Sequence, residues 1–275
     1  MRCPLHAFPL VIPVASKEIC RGAAFFMHTK AALVRGVLGK GDRNMNHNGR
    51  VEKNRRKHNE NMKKIVCYKF RGIRTDCRYM MNEDIKRIEE ILKGELYCSD
   101  WRKQNDIVEG CYYYKDNLEK EKLYFGEKCL TEQKEAYNIC SLTRSLNNPL
   151  MWAFYASNNS GVAIEIKLPK SEVEEVLYHK MIPIIDLKDI SDDTSGCKTR
   201  MAARQILTNK LNIWKYEKEV RILTCDERYK IDKPTRIYYG SRMEKSVLDK
   251  LLKLCGSLGS NIEIKSIAEF AAPNL

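Results

Sequence analysis

Three charged residues alternate in "KYEKEVRIL" near the end of the chain: Glu217, Glu219 and Arg221. Alternate residues of a β-strand share a face. The spacing therefore predicts two carboxylates and a guanidinium side by side, with Tyr216, Val220 and Ile222 turned the other way. Such a carboxylate pair can act as a general base or stabilise a cation that develops in a transition state. Repulsion between the two would raise the pKa of one. An amphipathic strand with a solvated charged face has the same pattern, and both readings stay open.

A second cluster lies in "CSLTRSLNNPLMWAFYASNNSGVAIEIKLP", residues 140–169. Trp152, Phe154 and Tyr155 are either core or one wall of a pocket that stacks a planar ring. We expect Leu150, Met151 and Phe154 in the core and Ser141, Trp152 and Tyr155 at a pocket rim. The polar loop "DWRKQNDIVEG" adds Trp101, Asn105, Asp106 and Glu109 as groups able to cover such a pocket, since long polar loops in compact domains are often functional. Nucleotide and hydrolase signatures are missing: GxxxxGK[ST], GxGxxG after a strand, HExxH and GxSxG do not occur. His179 is the one histidine beyond the first 61 residues, and it sits in a strand-like context, so a Ser-His or Cys-His pair is not expected.

The elements that must position these groups follow from periodicity. "KIVCYKF" reads as a strand. In "MNEDIKRIEEILKGELYCS" the apolar stripe Ile85, Ile88, Ile91 and Leu92 predicts a helix capped by Asn82 and closed by Gly94, then a strand. "EKCLTEQKEAYNICSLT" predicts a short helix and a strand ending at Thr143. Asn148 and Pro149 are a cap and first position for a short, largely buried helix. "GVAIEIKL" alternates as a strand. "KSEVEEVLYHKMIPIID" predicts a brief helix and a strand, and "TRMAARQILTNKLN" a longer helix. "WKYEKEVRILT" and "TRIYYG" predict strands. Ser241 with Glu244 reads as a capping box over a helix that Gly256 stops, and "IEIKSIAEF" as a last strand. No repeat or linker divides this region, so residues 62–275 are expected to form one α+β domain, mostly antiparallel, with helices packed on the sheet.

The chain has 275 residues and a formal net charge of +13. Residues 1–61 hold 12 Lys+Arg against 4 Asp+Glu, a balance of +8, which leaves 13 − 8 = +5 for the rest. This leader is polar and basic after a short apolar stretch cut by Pro4, Pro9 and Pro13, too short for a membrane span. It reads as disordered, with Met62 as the expected natural start. Eleven cysteines show neither a disulfide framework nor zinc spacing. Cys67, Cys98, Cys140, Cys225 and Cys255 sit in apolar patterns as small hydrophobes. A reducing, cytoplasmic location without a structural metal is expected.

The residues resemble the bacterial domain-of-unknown-function family 2971. "YKF", "LKGELYCS", "WRKQNDIVEG", "CSLTRSLNNPLMWAFYASNNSGVAIEI", "IWKYEKEVRIL" and "IYYG" occur in that family's order over nearly all of residues 65–245. Where the family has Asn-Asp-Pro-Phe-Glu, Asn105, Asp106 and Glu109 match and Ile107 and Val108 depart. Family members are met near mobile and defence-type genes, which implies an antitoxin or defence partner. The chain also resembles, more distantly, the ADP-ribosyltransferases: an early strand with Lys69 and Arg71, a central Ser141-x-Thr143 and a late Glu217-x-Glu219.

That resemblance implies an enzyme cleaving the glycosidic bond of NAD, as a toxin or phage-defence effector. Arg71 would grip the dinucleotide and Ser141 and Thr143 would shape the nicotinamide pocket, with Trp152 and Tyr155 lining it. Glu219 would stabilise the oxocarbenium ion, and Glu217 would lie nearer an acceptor that is a protein or a nucleic acid. The alternative is a non-enzymatic interaction or sensor module of a bacterial defence locus. In that reading Glu217 and Glu219 are paired to Arg221 or lysines and no pocket is open. A nucleic-acid-binding protein is the third reading, though no aromatic-basic strand pattern supports base stacking.

Overall fold

The computed structural model describes residues 63–114, 118–259 and 261–268. The expected leader, with its boundary at Met62, lies outside them. The described residues form an α+β fold with a curled, mostly antiparallel sheet.

β1 (Lys64–Arg71) is the longest strand together with β6 (Val162–Pro169), and the two pair antiparallel along their whole length, Lys64 opposite Pro169 and Arg71 opposite Val162. β13 (Arg236–Tyr239) pairs antiparallel on the far side of β6, and β14 (Glu263–Ser266) adds the one parallel neighbour in this sheet. A second group consists of β5 (Asn138–Thr143) paired with β11 (Glu219–Thr224), flanked by β3 (Ser99–Asp100) and β7 (Glu174–Glu175). The two groups meet at a single position, Tyr68 opposite Thr143. Beyond it β1 and β5 part, so the sheet splits.

Alternation explains the layers. Cys67, Cys140, Leu142, Val220, Ile222, Ile164 and Ile237 face one side and pack with α1 (Arg78–Leu92) and α6 (Lys245–Ser257). The opposite face carries two separate clusters. Ile139 packs with α2 (Lys120–Glu135), α4 (Leu187–Ser191) and α5 (Cys197–Leu207). Phe70, Ala163 and Tyr238 pack with α3 (Pro149–Tyr155). The strip of sheet between these clusters carries Tyr68, Thr143 and Glu219, and a 3-10 helix (Asn212–Glu217) lies against it, Thr143 Oγ1 donating to Glu217 O.

Several local expectations need correction. α1 starts at Arg78, four residues before Asn82, which lies inside the helix. Its first turn shows exposed Tyr79 and Met80 to solvent, so apolar periodicity cannot reveal it. The polar loop after β3 opens with a 3-10 turn, Trp101–Lys103, in which Asp100 accepts a hydrogen bond from Arg102 N. Ser241 does not cap α6: its hydroxyl accepts from Asn159 Nδ2, and Glu244 precedes the helix without a side-chain cap. Gly256 lies within α6, whereas Gly259 takes the left-handed conformation beyond its end (φ 63°). Cys67, Cys98, Cys140 and Cys255 are buried free thiols. Cys225 is not, being exposed just past β11 and disulfide-bonded.

Gly94 has the expected left-handed backbone (φ 97°) after α1. Gly161 is required for another reason. A Cβ there would lie 2.2 Å from the carbonyl oxygen of Arg71. Gly161→Ala is therefore expected to destabilise the fold by about 1–3 kcal/mol through overpacking and to displace Arg71. A urea midpoint equal to that of the native protein would show that this junction yields.

Candidate functional site

Where β1 and β5 part, a cavity of about 590 Å³ opens, within the usual range for small-molecule sites. It is lined from both faces of the sheet. Glu83, Lys86, Arg87 and Glu90 come from α1, and Met151 and Tyr155 from α3. Lys69, Arg71, Ser141 and Thr143 come from the parted strands, and Lys210, Glu217 and Glu219 complete the lining.

Six of the seven residues expected at the site line this cavity: Arg71, Ser141, Thr143, Tyr155, Glu217 and Glu219. Trp152 does not. Its ring is buried against Phe70 at 5.0 Å in an edge-to-face contact, and its Nε1 donates to Leu146 O at 2.7 Å. The expected core assignments of α3 also change, since Met151 is buried while Phe154 is 67% exposed and Leu150 is exposed. With only seven residues and helix on one side of the sheet, α3 buries one stripe rather than its whole circumference.

Glu217 and Glu219 converge, though not by strand alternation. Glu217 ends a 3-10 helix (Asn212–Glu217), and Lys218 then takes a left-handed conformation (φ 45°) before β11 begins at Glu219. Lys210 brings the two carboxylates together. It lies on β10 (Asn209–Leu211), which pairs in parallel with β8 (Leu177–His179). Its Nζ is 2.5 Å from Glu217 Oε2 and 2.9 Å from Glu219 Oε2. Arg221 is 0% exposed and holds Glu219 from the other side, its Nε donating to Oε1 at 2.7 Å. The far edge of the same guanidinium makes a two-pronged contact with Glu109, at 2.6 and 2.8 Å. Asp106 and Glu109 are thus buried parts of the site's frame rather than a cover over it, while exposed Asn105 lines the cavity.

These contacts set the ionisation states. Burial acts to raise the Glu219 pKa, but Arg221 and Lys210 outweigh it, with hydrogen bonds from Arg221 and Ser141, and bring it to about 2. For Glu217 the order reverses: burial prevails over Lys210 and over the hydrogen bond from Tyr155 Oη, and the pKa is raised. Burial also raises Glu109 against Arg221. One permanently charged carboxylate therefore sits beside one that exchanges protons more readily, a pairing that suits acid–base work.

Two cations from β1 line the same cavity, alongside Glu83, Glu90 and Glu95. Lys69 reaches across the split and donates to Ser141 O at 2.7 Å, and Arg71 Nε is buried without a hydrogen-bond partner. Neither forms an ion pair with a carboxylate among the described residues. Burial lowers the pKa of both, against the pull of Glu219 on Lys69 and of Asp84 and Glu90 on Arg71.

Lys210 and the bridging role of Lys69 were missed in the sequence. "TNKLN" gives a lone lysine between a helix and a loop, and only the β10–β8 pairing directs it inward. Among the described residues no helix is long and apolar enough to cross a membrane. No protein-family model, curated protein or solved structure matches this chain.

Proposed function

We propose that the protein is an ADP-ribosyltransferase-like enzyme that cleaves the glycosidic bond of NAD, acting as a toxin or phage-defence effector. The observation that carries this reading is one cavity whose lining holds both the half-buried cations Lys69 and Arg71, neither in an ion pair among the described residues, and the carboxylates Glu217 and Glu219. A dinucleotide has a matching polarity, with anionic phosphates and a pyridinium ribose on which positive charge grows as the bond breaks. The resemblance to the Arg, Ser-x-Thr, Glu-x-Glu order supports the chemistry, and that to family 2971 only the defence setting.

In this mechanism Lys69 and Arg71 hold the phosphates, and Ser141, Thr143 and Tyr155 shape the nicotinamide end. The C–N glycosidic bond breaks and its electron pair leaves on the nicotinamide nitrogen. Glu219, ionised at any working pH, offers a fixed negative charge to the ribose cation. Water or an acceptor nucleophile adds to the anomeric carbon, and its proton passes to Glu217.

Incubating the full chain with NAD is expected to release nicotinamide. Arg71→Met is expected to raise KM about tenfold to a hundredfold, the worth of one charge-assisted hydrogen bond of roughly 1.5–3 kcal/mol. Absence of both nicotinamide release and ADP-ribose binding, with protein and nucleic-acid acceptors present, would overturn the reading.

One observation favours the second reading, a non-enzymatic interaction or sensor module. The chain Glu109–Arg221–Glu219–Lys210–Glu217 is a buried network whose charges already have partners without a ligand. In that case the cavity binds an anion without turning it over, and an antitoxin or other defence partner reads its occupancy.

A further inference from the structure

Two thiols sit together behind the cavity wall. Ser99 of β3 lies opposite Ile139 of β5, so the antiparallel register brings Cys98 opposite Cys140 at the next position. Both belong to the cluster under α1, at 0% and 1% exposure, and the Cys98 thiol donates to Leu96 O at 4.0 Å. Opposed residues in antiparallel strands have Cα atoms about 4.5–5.5 Å apart, inside the span of about 4.4–6.8 Å that a disulfide bridges. Ile91 and Leu142 belong to the same buried cluster as Cys140 and also line the cavity, which places the sulfurs one layer of side chains behind its wall.

The electrostatics favour reaction at Cys140. The neighbouring Cys98 thiol lowers the Cys140 pKa in spite of burial, with Lys69 and Arg71 adding to the effect, while Cys98 itself is raised by that neighbour and by burial. Cys140 is thus the more easily ionised thiol of the pair.

We propose that Cys98 and Cys140 are a peroxide-oxidisable dithiol, and that closing their disulfide strengthens anion binding in the cavity. The Cys140 thiolate attacks one oxygen of hydrogen peroxide. An S–O bond forms, the O–O bond breaks, and the departing hydroxide takes a proton and leaves as water. The Cys98 thiol then loses its proton, and its sulfur displaces the sulfenic oxygen of Cys140 as a second water. The sulfur pair gives up two electrons and the peroxide gains them. The reaction removes a negative charge beside Lys69 and Arg71 and leaves both cations freer for an anionic ligand.

The test uses the full chain and inorganic pyrophosphate, so it does not depend on NAD chemistry. Nicotinamide release is scored separately and can fail without bearing on the dithiol. After peroxide treatment, blocking of free thiols and digestion, a linked Cys98–Cys140 peptide is expected. Pyrophosphate affinity by calorimetry is expected to rise about tenfold, in line with one charge about 12 Å from the ligand at an effective dielectric constant of roughly 20. In Cys98→Ala, peroxide is expected to leave that affinity unchanged. Recovery of Cys98 and Cys140 as blocked free thiols, while exposed Cys77 and Cys197 have oxidised, would overturn the proposal. So would a formed disulfide with no change in affinity. If Cys98→Ala does not fold, the peptide map and the affinity of the native chain decide alone.

Discussion

Arg221→Met is expected to cost about 3–5 kcal/mol of stability, because it leaves two buried carboxylates without their shared cation. Arg221 has no exposed surface and its guanidinium contacts both Glu109 and Glu219. Lys210 still reaches Glu219 in the variant, but no other cation is within ion-pair distance of Glu109 among the described residues, and burial already raises its pKa. Arg228→Met is the control. Its ion pair with Glu90 is largely exposed, so a loss of about 0–1 kcal/mol is expected. Chemical denaturation of both variants measures the contrast, and equal losses would remove Arg221 as the anchor of the site.

The pH dependence separates this from a simple packing defect. The Glu219 pKa is depressed from 4.5 to about 2 in the folded protein. A carboxylate depressed in this way contributes stability that is fully present above its unfolded value and lost as pH falls from about 4.5 toward 2. Arg221→Met removes the larger of the two ionic partners. In the variant that part of the acid limb should flatten, while a cavity alone would shift the whole curve down and keep its shape. Glu109 and Glu217, whose values are raised, act in the opposite sense and are relieved by acid.

How far the sequence foretold this site differs residue by residue. β1 was legible from its β-branched and aromatic residues and β6 from its alternation, both of which are local signals. Asn148 and Pro149 were legible because capping is local too: the Asn148 side chain accepts from Leu150 N as expected. Ser141, Thr143 and Glu219 came together because the strands carrying them pair, with Glu219 opposite Thr143. Lys210, Lys69 and the gap between β1 and β5 were not legible. Each depends on where strands distant in sequence stop pairing, and a single shared position between β1 and β5 leaves no mark in either segment. Trp152 misled for a related reason. An aromatic next to polar turns looks the same whether it faces a cavity or a neighbouring ring, and Phe70 across the sheet decides it.

The two carboxylates are expected to fail differently when neutralised. Glu219→Gln keeps the shape of the side chain and removes the charge, and is expected to lower kcat for nicotinamide release by about 10²–10³, the usual cost of losing one preorganised electrostatic contact. KM should change little, since the interaction grows only as the ribose becomes cationic. Glu217→Gln is expected to lower transfer by about 10²–10⁴ through loss of the base. It should also erase the acid limb of the kcat/KM profile, because the raised pKa of Glu217 governs that limb. Both variants disturb the Lys210 bridge, so each needs a thermal melt alongside the rate. An unchanged rate in folded Glu219→Gln would strip Glu219 of any chemical role and leave it as a brace between Arg221 and Lys210. A retained acid limb in Glu217→Gln would assign the titration to another group of the buried network, with Glu109 next in line because its pKa is also raised by burial. Only the combination of a charge effect at Glu219 and a titration at Glu217 fits cleavage assisted by one fixed and one exchangeable carboxylate.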